Sequence, residues 1–380
     1  MNIEVSEEQI AFRKSVRDFA EQEIAPFSAE WDRSEQMDRS IVKKLASVGL
    51  LGGTLPECYG GMGMDNMSYC LMIEELGRAD SSVRGVVSVN VGLVGKTILR
   101  WGTESQKEQW LPSLCSGDGI GCYGLTEPDA GSDAAALRTR AERVGGDWRL
   151  NGSKMFITNG TWASFALIFA RTGSEEISAF LVPTESPGFS ARPIMGKLGL
   201  RAADTAELTL SDVLVADENR LGEVGEGLRV AMSALDNGRM SLSAGCVGLG
   251  QACLEASLSY AGERRAFGKP IAGFQLIQEL IAEMAMDIDA SRLLTWRVAA
   301  LADEGKPHKL ESSFAKLFAS EAAVKASNNA LQIYGGYGYI DEYPVGRLMR
   351  DARVTTLYEG TSQMQKLIIG RALTGQSAFS

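Results

Sequence analysis

The spacing of apolar residues changes twice along the chain, and this change constrains the fold more than any other feature of the sequence. In the first third, apolar side chains recur at helical spacing, as in Ile41 and Leu45. Short alternating runs such as ISAFLVPT and AELTLSDVLV then follow, which are typical of strands, before helical spacing returns. This order predicts an α+β fold, mostly α, with an N-terminal α-helical domain (1–118), a middle β domain (119–222) and a C-terminal helical bundle (223–380).

Local signals predict several element boundaries. Ser6 is a candidate N-cap for the first helix, and residues 66–78 and 84–100 are expected to be helical. Asn151-Gly152 stands between two alternating runs and predicts a hairpin, because both positions of a tight hairpin turn need positive φ. Several short strands joined by such turns favour a sandwich or a small barrel.

Charge and residue usage exclude several classes of function. The formal net charge is −10, so the chain is expected to repel a phosphate backbone and not to bind nucleic acid. The single histidine, His308, lies in GKPHKLE, which is predicted to be a polar link between helices. A Ser-His-Asp triad would have to use it, and a multi-histidine metal site cannot be built. None of the six cysteines forms a CxxC pair, so no metal site is predicted.

The sequence also gives expectations about location. It contains no stretch of eighteen or more apolar residues, so no helix inserted in a membrane is expected. The N-terminal segment is acidic and amphipathic and lacks the layout of a signal peptide or transit peptide. We therefore expect a bacterial cytoplasmic protein with free thiols.

Two motifs lie where the helical pattern changes to the strand pattern. GCYGLTEPDAGSDAAALR (121–138) combines small residues and hydroxyls that would leave backbone N–H groups free to face an anion; the alternative is an ordinary turn into a strand. In KMFITNG (154–160), Phe156 and Thr158 point to the same side of a strand, which would suit the edge of an aromatic cofactor. The alternative for Phe156 is a place in the barrel core.

Two further motifs lie in the C-terminal region. ERRAFGKPIAGFQLIQ (263–278) has adjacent arginines, whose planar guanidinium groups suit a phosphate-bearing ligand. The segment 331–375 contains YGGYGY, a loop in which glycines allow close approach of a ligand or another backbone. No GxGxxG follows a strand in a βαβ pattern, so a Rossmann dinucleotide domain is not indicated.

In combination, these four motifs resemble the acyl-CoA dehydrogenase family over the whole chain, and the short-chain and glutaryl-CoA members most. The resemblance implies that family's three-domain fold, with an N-terminal helical domain, a middle β-barrel domain and a C-terminal four-helix bundle. It also implies a tightly bound FAD and a homo-oligomer, usually a tetramer. It also implies an oxidoreductase that acts on a CH–CH group of an acyl thioester.

The resemblance assigns the flavin site residue by residue. The flavin and its phosphates would be lined by Tyr123, Leu125, Thr126 and Ser132. Phe156 would back the isoalloxazine ring, where many relatives have Trp, and Thr158 would bond flavin N5. From a neighbouring subunit, the adenine and pyrophosphate end would be held by Arg264, Phe267, Gln275, Gln332 and Gly336. Thr361 and Gln363 would meet the adenosine portion.

Glu359, in LYEGTSQ, matches the position of the family's catalytic base. Some relatives carry the base just before the arginine that is Arg239 here, and that position is Gly238 in this chain. The alternative for Glu359 is a residue that caps a following helix. The resemblance also implies a substrate channel formed by Ser132, Asp236, Arg239, Tyr358 and Gly360.

Arg84 and Ser88 match the positions where glutaryl-CoA dehydrogenases bind the distal carboxylate of their substrate. A glutamate that those enzymes carry seven residues earlier is Gly77 here, which argues against strict glutaryl chemistry, including decarboxylation. Dehydrogenases of carrier-protein-bound hydroxymalonyl precursors carry a similar Ser-Ser-x-Arg stretch. The alternative for Arg84 is an ion pair with Asp80 at i−4.

The expected function is therefore FAD-dependent α,β-dehydrogenation of a short-chain acyl thioester attached to CoA or to an acyl carrier protein, with a glutaryl-like distal carboxylate as one option for the acyl chain. An electron-transfer flavoprotein is the expected electron acceptor. Two other functions compete with this one. A flavin oxidase or monooxygenase on the same scaffold commonly lacks the glutamate, and a non-catalytic flavin protein that binds a macromolecule would not need it.

Overall fold

The computed structural model describes residues 4–378. An N-terminal set of helices is followed by one sheet and then by a second set of helices, so the predicted fold class is confirmed. The N-terminal helices are α1 (Glu7–Glu23), α2 (Ser28–Ser34), α3 (Ser40–Ser47), α4 (Asn66–Ala79), α5 (Ser81–Val87), α6 (Lys96–Trp101) and α7 (Glu104–Ser116). A π-helical segment, Ser88–Gly95, joins α5 to α6. Ser6 caps α1 as predicted, and its hydroxyl accepts the Gln9 N–H.

The middle region forms one eight-stranded sheet. Its strands are β1 (Gly121–Gly124), β2 (Arg140–Val144), β3 (Asp147–Thr158), β4 (Phe165–Arg171), β5 (Ile177–Pro183), β6 (Phe189–Pro193), β7 (Thr205–Val215) and β8 (Arg220–Leu221). The strand order is β6-β7-β3-β2-β4-β5-β8, and β1 pairs with β4 in parallel. Residues 165–170 of β4 are all buried, because alternate side chains enter the sheet's own core and a core shared with the N-terminal helices.

The C-terminal region consists mainly of long helices. They are α8 (Gly227–Glu263), α9 (Gln275–Asp303), α10 (Lys309–Tyr334), α11 (Pro344–Arg353) and α12 (Ser362–Thr374). Two short strands, β9 (Arg265–Ala266) and β10 (Lys269–Pro270), form a small hairpin between α8 and α9. His308 lies in the link before α10, as predicted, and its Nδ1 is 3.0 Å from the Ser312 hydroxyl.

The hairpin predicted at Asn151-Gly152 is wrong. Strand β3 runs straight through these two residues, and the turn between β2 and β3 is made by Gly145-Gly146 instead. Asn151-Gly152 forms a register shift against β7, where a Cβ on Gly152 would lie 2.7 Å from the Thr139 backbone. The glycine is therefore needed for a close backbone approach at a bulge and not for a turn.

The α5–α6 segment bears on the expectation about membrane helices. Taken together, Ser81–Trp101 is long and apolar enough to cross a membrane by length and composition alone. However, 78% of its most apolar window is buried inside the protein, as expected for a central helix of a folded core. The predicted helix at 84–100 lies within this segment, and the helix predicted at 66–78 corresponds to α4.

The central segment docks directly on the sheet. The Asn90 side chain accepts the Gly121 N–H at 3.1 Å, and a Cβ on Gly121 would lie 2.6 Å from the Val94 side chain. From the other side, the Asn159 side chain donates to the carbonyls of Val86 and Gly121. These contacts fix the position of α5 relative to β1, and both elements contribute to the site described below.

Glu74 of α4 joins the two helical regions. Its buried carboxylate lies 2.7 Å from the Arg13 guanidinium of α1 and 2.9 Å from that of Arg292 on α9. A buried carboxylate that serves two arginines is costly to remove, because each cation loses one of its carboxylate partners. Arg13 keeps its ion pair with Glu75, and Arg292 keeps the one with Asp289.

We expect Glu74→Leu to lower the free energy of unfolding by about 3 kcal/mol. Urea unfolding at fixed protein concentration measures this change. Asp18→Asn is the matched control, because Asp18 pairs with Lys14 on the exposed face of α1, where an ion pair contributes at most about 1 kcal/mol. Equal effects of the two substitutions would contradict the assigned role of Glu74.

Candidate active site

Glu359 lies in a left-handed turn directly before α12, with φ of +56° at Glu359 and +84° at Gly360. The turn directs its carboxylate against Gly238 of α8, where an added Cβ would lie 2.8 Å from the Glu359 carboxyl carbon. The two positions at which the family carries its base therefore meet in space. The helix-capping alternative is wrong, because Thr361 caps α12 by accepting the Met364 N–H at 3.2 Å.

The carboxylate of Glu359 is set in a cationic environment. Burial raises its pKa to about 7, although Arg239, Lys316 and Arg84 favour the charged form. Its Oε2 is buried and has no hydrogen-bond partner among residues 4–378. A carboxylate that has one oxygen without a hydrogen-bond partner and a pKa near neutrality is suited to accept a proton from a ligand.

Arg84 is buried on α5, with 5% of its surface exposed. Its Nη2 donates to the Tyr358 hydroxyl at 2.7 Å, so the structure places Arg84 beside the residue that precedes Glu359. The alternative for Arg84, an ion pair with Asp80, is wrong. The Asp80 carboxylate instead accepts the Ser82 N–H and caps α5.

Ser88 begins the π-helical segment one turn after Arg84. The Ser241 hydroxyl of α8 donates to Ser88 at 2.8 Å and lies 3.0 Å from the Tyr69 hydroxyl. All three side chains are buried, so a chain of hydroxyls lies in the interior on the side of Arg84.

Asp236 and Arg239 lie one turn apart on α8. The Arg239 Nη1 donates to the Asp236 carboxylate at 2.7 Å. Arg239 is buried, and its positive charge favours the ionised form of Glu359. Asp236 is partly exposed. The structure thus brings Arg239, Tyr358 and Gly360 together around the carboxylate, with Asp236 one contact further out.

Tyr123 connects the sheet to this cluster. Its hydroxyl donates to the Ala231 carbonyl of α8 at 3.2 Å, and burial together with the charge of Glu359 raises its pKa well above the usual value. Leu125 follows as a buried residue, and Thr126 accepts the Met155 N–H through its carbonyl at 2.9 Å. Ser132 lies exposed in the loop that follows. The alternative of an ordinary turn into a strand does not account for the proximity of Tyr123 to Glu359.

Phe156 stands at a second bulge in β3, with φ of +62°. Phe156 is 66% exposed, whereas Ile157 enters the core and Thr158 is half-buried. The alternative that Phe156 belongs to the core of the sheet is therefore wrong. An exposed ring beside a hydroxyl fits a planar aromatic group such as the flavin ring.

A separate open groove of about 550 Å³ lies on the C-terminal bundle. It is lined by Arg264, Phe267 and Gly336 among others, and Phe267 is 96% exposed with φ of +48°. The Arg264 guanidinium lies 5.2 Å from the centre of the Tyr337 ring, a combination that suits an aromatic base and a phosphate. The lining includes neither Glu359 nor Phe156.

The remaining residues that the resemblance assigns to the cofactor do not line the groove. Gln275 begins α9 and Gln332 is on the last turn of α10, and both are exposed. Gln363 is exposed in the first turn of α12, while the Thr361 hydroxyl is used by the helix cap. No group of three or more side chains that could hold a metal ion is present in the described part of the chain.

Two residues near Glu359 were missed by the sequence analysis. Lys316 of α10 and Gln365 of α12 are both fully buried and donate to backbone carbonyls of the Glu359 turn. A lysine within the run of small residues on α10 was the available signal, because a lysine in such a setting is buried only when it has a partner.

Three domain families match the chain in sequence order. They are the acyl-CoA dehydrogenase N-terminal domain over residues 6–118, the middle domain over residues 122–213 and the C-terminal domain over residues 225–374. The chain is 44% identical over 372 residues to the mitochondrial short-chain specific acyl-CoA dehydrogenase of Mus musculus, covering 97% of this chain and 90% of that protein. It is also 44% identical over 375 residues to an acyl-CoA dehydrogenase of Bacillus subtilis, covering 98% and 99%.

Solved structures agree with these matches. Butyryl-CoA dehydrogenase from Megasphaera elsdenii has a TM-score of 0.96 at 40% identity, covering 98% of this chain and 100% of that one. Glutaryl-CoA dehydrogenase from Mycobacterium smegmatis in complex with FADH2 has a TM-score of 0.95 at 38% identity, covering 99% and 96%. A chain from a structure of the electron transferring flavoprotein of Acidaminococcus fermentans has a TM-score of 0.96 at 40% identity, covering 99% and 100%.

The matched domains span the chain almost completely, and the relatives share both its length and its fold. The chain therefore belongs to the acyl-CoA dehydrogenase family and is an oxidoreductase that acts on a CH–CH group of an acyl-CoA.

Proposed function

We propose that the protein is an FAD-dependent dehydrogenase of a short-chain acyl-CoA that carries a distal carboxylate, with Glu359 as the base that removes the α-proton. The observation that supports this role most is the Oε2 atom of Glu359, which is buried, unpartnered and directed at Gly238. A buried carboxylate oxygen without a partner is costly unless a ligand completes its contacts.

The residues of this chain account for the proton transfer. A proton beside a thioester is weakly acidic, so a base with a pKa near 7 is better matched to it than an ordinary carboxylate. The backbone N–H of Glu359 donates to no acceptor among residues 4–378 and is free to bond the thioester oxygen as negative charge develops there. A bound FAD would supply the acceptor for the hydride from the β-carbon.

The exposed ring of Phe156, with Thr158, Tyr123, Leu125, Thr126 and Ser132, supports a flavin site on the sheet side of Glu359. Arg264, Phe267, Gln275, Gln332 and Gly336 are proposed to hold the adenine and pyrophosphate end of a neighbouring subunit's FAD, and Thr361 and Gln363 the adenosine portion. Phe267 and Leu276 are exposed apolar side chains on the C-terminal bundle. Their exposure supports the idea that another subunit or a ligand packs on this surface. We therefore propose a homo-oligomer, with the tetramer as its form.

The distal carboxylate is proposed to bind Arg84. No carboxylate of the described chain lies within ion-pair distance of this buried guanidinium, and its Nε has no hydrogen-bond partner there. Burying a charge without a counter-ion costs free energy. A substrate with a carboxylate on its acyl chain would pair with Arg84 and remove this cost, whereas an alkyl chain would not. A glutamate in place of Gly77 would not fit, because a Cβ there would lie 2.8 Å from the Gly245 carbonyl oxygen. At position 77, the surroundings of Arg84 therefore differ from those expected in strict glutaryl enzymes.

Electrons are proposed to leave through an electron-transfer flavoprotein rather than to molecular oxygen. The retained glutamate supports this choice, because oxidases and monooxygenases on this scaffold commonly lack it. Fast reoxidation of the reduced enzyme by air would instead favour the oxidase.

We expect Glu359→Gln to bind FAD normally but to reduce the flavin roughly 10³-fold more slowly with butyryl-CoA, because the amide cannot accept the α-proton. Anaerobic stopped-flow absorbance of the bound flavin measures this rate. Glu321→Gln is the matched control, since Glu321 lies on α10 and bonds Ser362. A wild-type rate in the Glu359 variant would remove the central assignment.

The reaction should depend on the ionisation of Glu359. Since the pKa of this carboxyl is raised to about 7 and only the charged form accepts a proton, kcat/KM is expected to rise with pH and to level off above that value. A pH profile of kcat/KM measures the midpoint. A profile that is flat down to the ordinary carboxyl range would contradict the assigned environment of Glu359.

We expect Arg84→Met to lower kcat/KM for glutaryl-CoA about 100-fold, because a buried charge pair is lost, and to change that for butyryl-CoA much less. Steady-state assays with both substrates measure the ratio. Tyr358→Phe is the matched control, because it removes the hydrogen bond to Arg84 but keeps the charge. Equal losses on both substrates in Arg84→Met would show that no carboxylate binds there.

A further inference from the structure

The turn that carries Glu359 is held in a conformation that its own sequence does not favour. A left-handed residue other than glycine costs about 1 kcal/mol or more, and it persists only where the surroundings fix it. Glu359 has this conformation, and Gly360 follows with a second positive φ. Something outside the turn must therefore hold the base in place.

Two buried side chains hold the turn through its backbone carbonyls. Lys316 Nζ donates to the Gly360 carbonyl at 2.8 Å. The Gln365 side chain donates to the same carbonyl at 3.0 Å and to the Glu359 carbonyl at 3.1 Å. Lys316 and Gln365 come from different helices, α10 and α12, so the turn is clamped between two elements of the bundle.

Lys316 differs from Gln365 because it also carries a charge. It is fully buried, and no carboxylate among residues 4–378 lies within ion-pair distance of its Nζ. Burial lowers its pKa to about 8, while Cys246 and Glu359 oppose that shift. The groups whose negative charge would favour the protonated lysine are Cys246, Glu359 and Glu321.

Charged and titratable groups from several elements face the Glu359 carboxylate. They are Arg84 on α5, Arg239 on α8, Lys316 on α10, Tyr123 on β1 and Tyr358 in the same turn. Arg239 shares its charge with Asp236, and Arg84 is bonded to Tyr358. Lys316 alone in this set bonds the backbone of the Glu359 turn.

We propose that Lys316 is a positioning residue for the base: it fixes the left-handed turn through the Gly360 carbonyl, and its positive charge sets the pH range in which Glu359 is ionised. This inference rests on the proposed role of Glu359. A nearby positive charge favours a carboxylate over a carboxylic acid, so loss of the charge raises the pKa of Glu359 and moves the acidic limb of the pH profile upward.

The test separates the charge from the hydrogen bond. Lys316→Gln keeps an N–H donor for the Gly360 carbonyl but removes the charge. We expect its kcat/KM profile with butyryl-CoA to have a midpoint about one pH unit higher, and therefore about tenfold lower activity on the acidic limb. Lys316→Arg, which keeps the charge, is expected to restore the wild-type midpoint.

Two control variants complete the test. Gln365→Leu removes the second donor but no charge, so it is expected to lower kcat about tenfold at an unchanged midpoint. Lys154→Met removes another fully buried lysine, which is paired with Glu127 in the sheet and is expected to leave the midpoint in place. A shift of the midpoint in these controls would show that any buried change produces it and would overturn the inference.

The outcomes also separate this inference from the proposed function. A wild-type midpoint of the kcat/KM pH profile in flavin-loaded Lys316→Gln overturns the proposed role of Lys316. Wild-type activity of Glu359→Gln would instead overturn the assignment of Glu359 as the base. If Lys316→Gln fails to retain flavin, Gln365→Leu tests whether donors to the carbonyls of the Glu359 turn position the base. A wild-type kcat in Gln365→Leu would then overturn the positioning role.

Discussion

The close approach of the Glu359 carboxylate to Gly238 is the contact on which the rest of the site depends. It requires a left-handed turn before α12 and a residue without a side chain on α8. The turn is clamped by Lys316 and Gln365. The carboxylate is therefore delivered by helices packed on each other and not by a loose loop, as proton transfer at a fixed distance requires.

The same arrangement explains the electrostatics of the pocket. Burial alone would keep a carboxyl group neutral, and three cations around Glu359 limit that effect, so its pKa lies near 7. Arg84 has two links to the turn that carries the base, because its charge favours the ionised form of Glu359 and its guanidinium bonds Tyr358 directly. A substrate that brought its own carboxylate would balance a charge that the chain leaves unbalanced.

Much of this could be predicted from the sequence, and the failures have specific physical reasons. Periodicity predicted the helix–sheet–helix order. The four motifs drew attention to Glu359 and Phe156, and the family resemblance added Arg84, which lies outside them. The hairpin prediction at Asn151-Gly152 failed because a glycine with positive φ is found at β-bulges as well as in turns. Lys316 was missed because α10 buries its alanines and serines while Phe318 faces outward, so the large apolar residues do not mark the buried face of this helix.

The central claim is that Glu359 removes the α-proton, and the most direct measurement isolates that step from hydride transfer. Acetyl-CoA has α-protons but no β-hydrogen, so its exchange in D2O, followed by mass spectrometry, reports proton removal alone. The account predicts deuterium at the α-carbon with the wild-type enzyme and none above background with Glu359→Gln. Equal exchange by both proteins would contradict it.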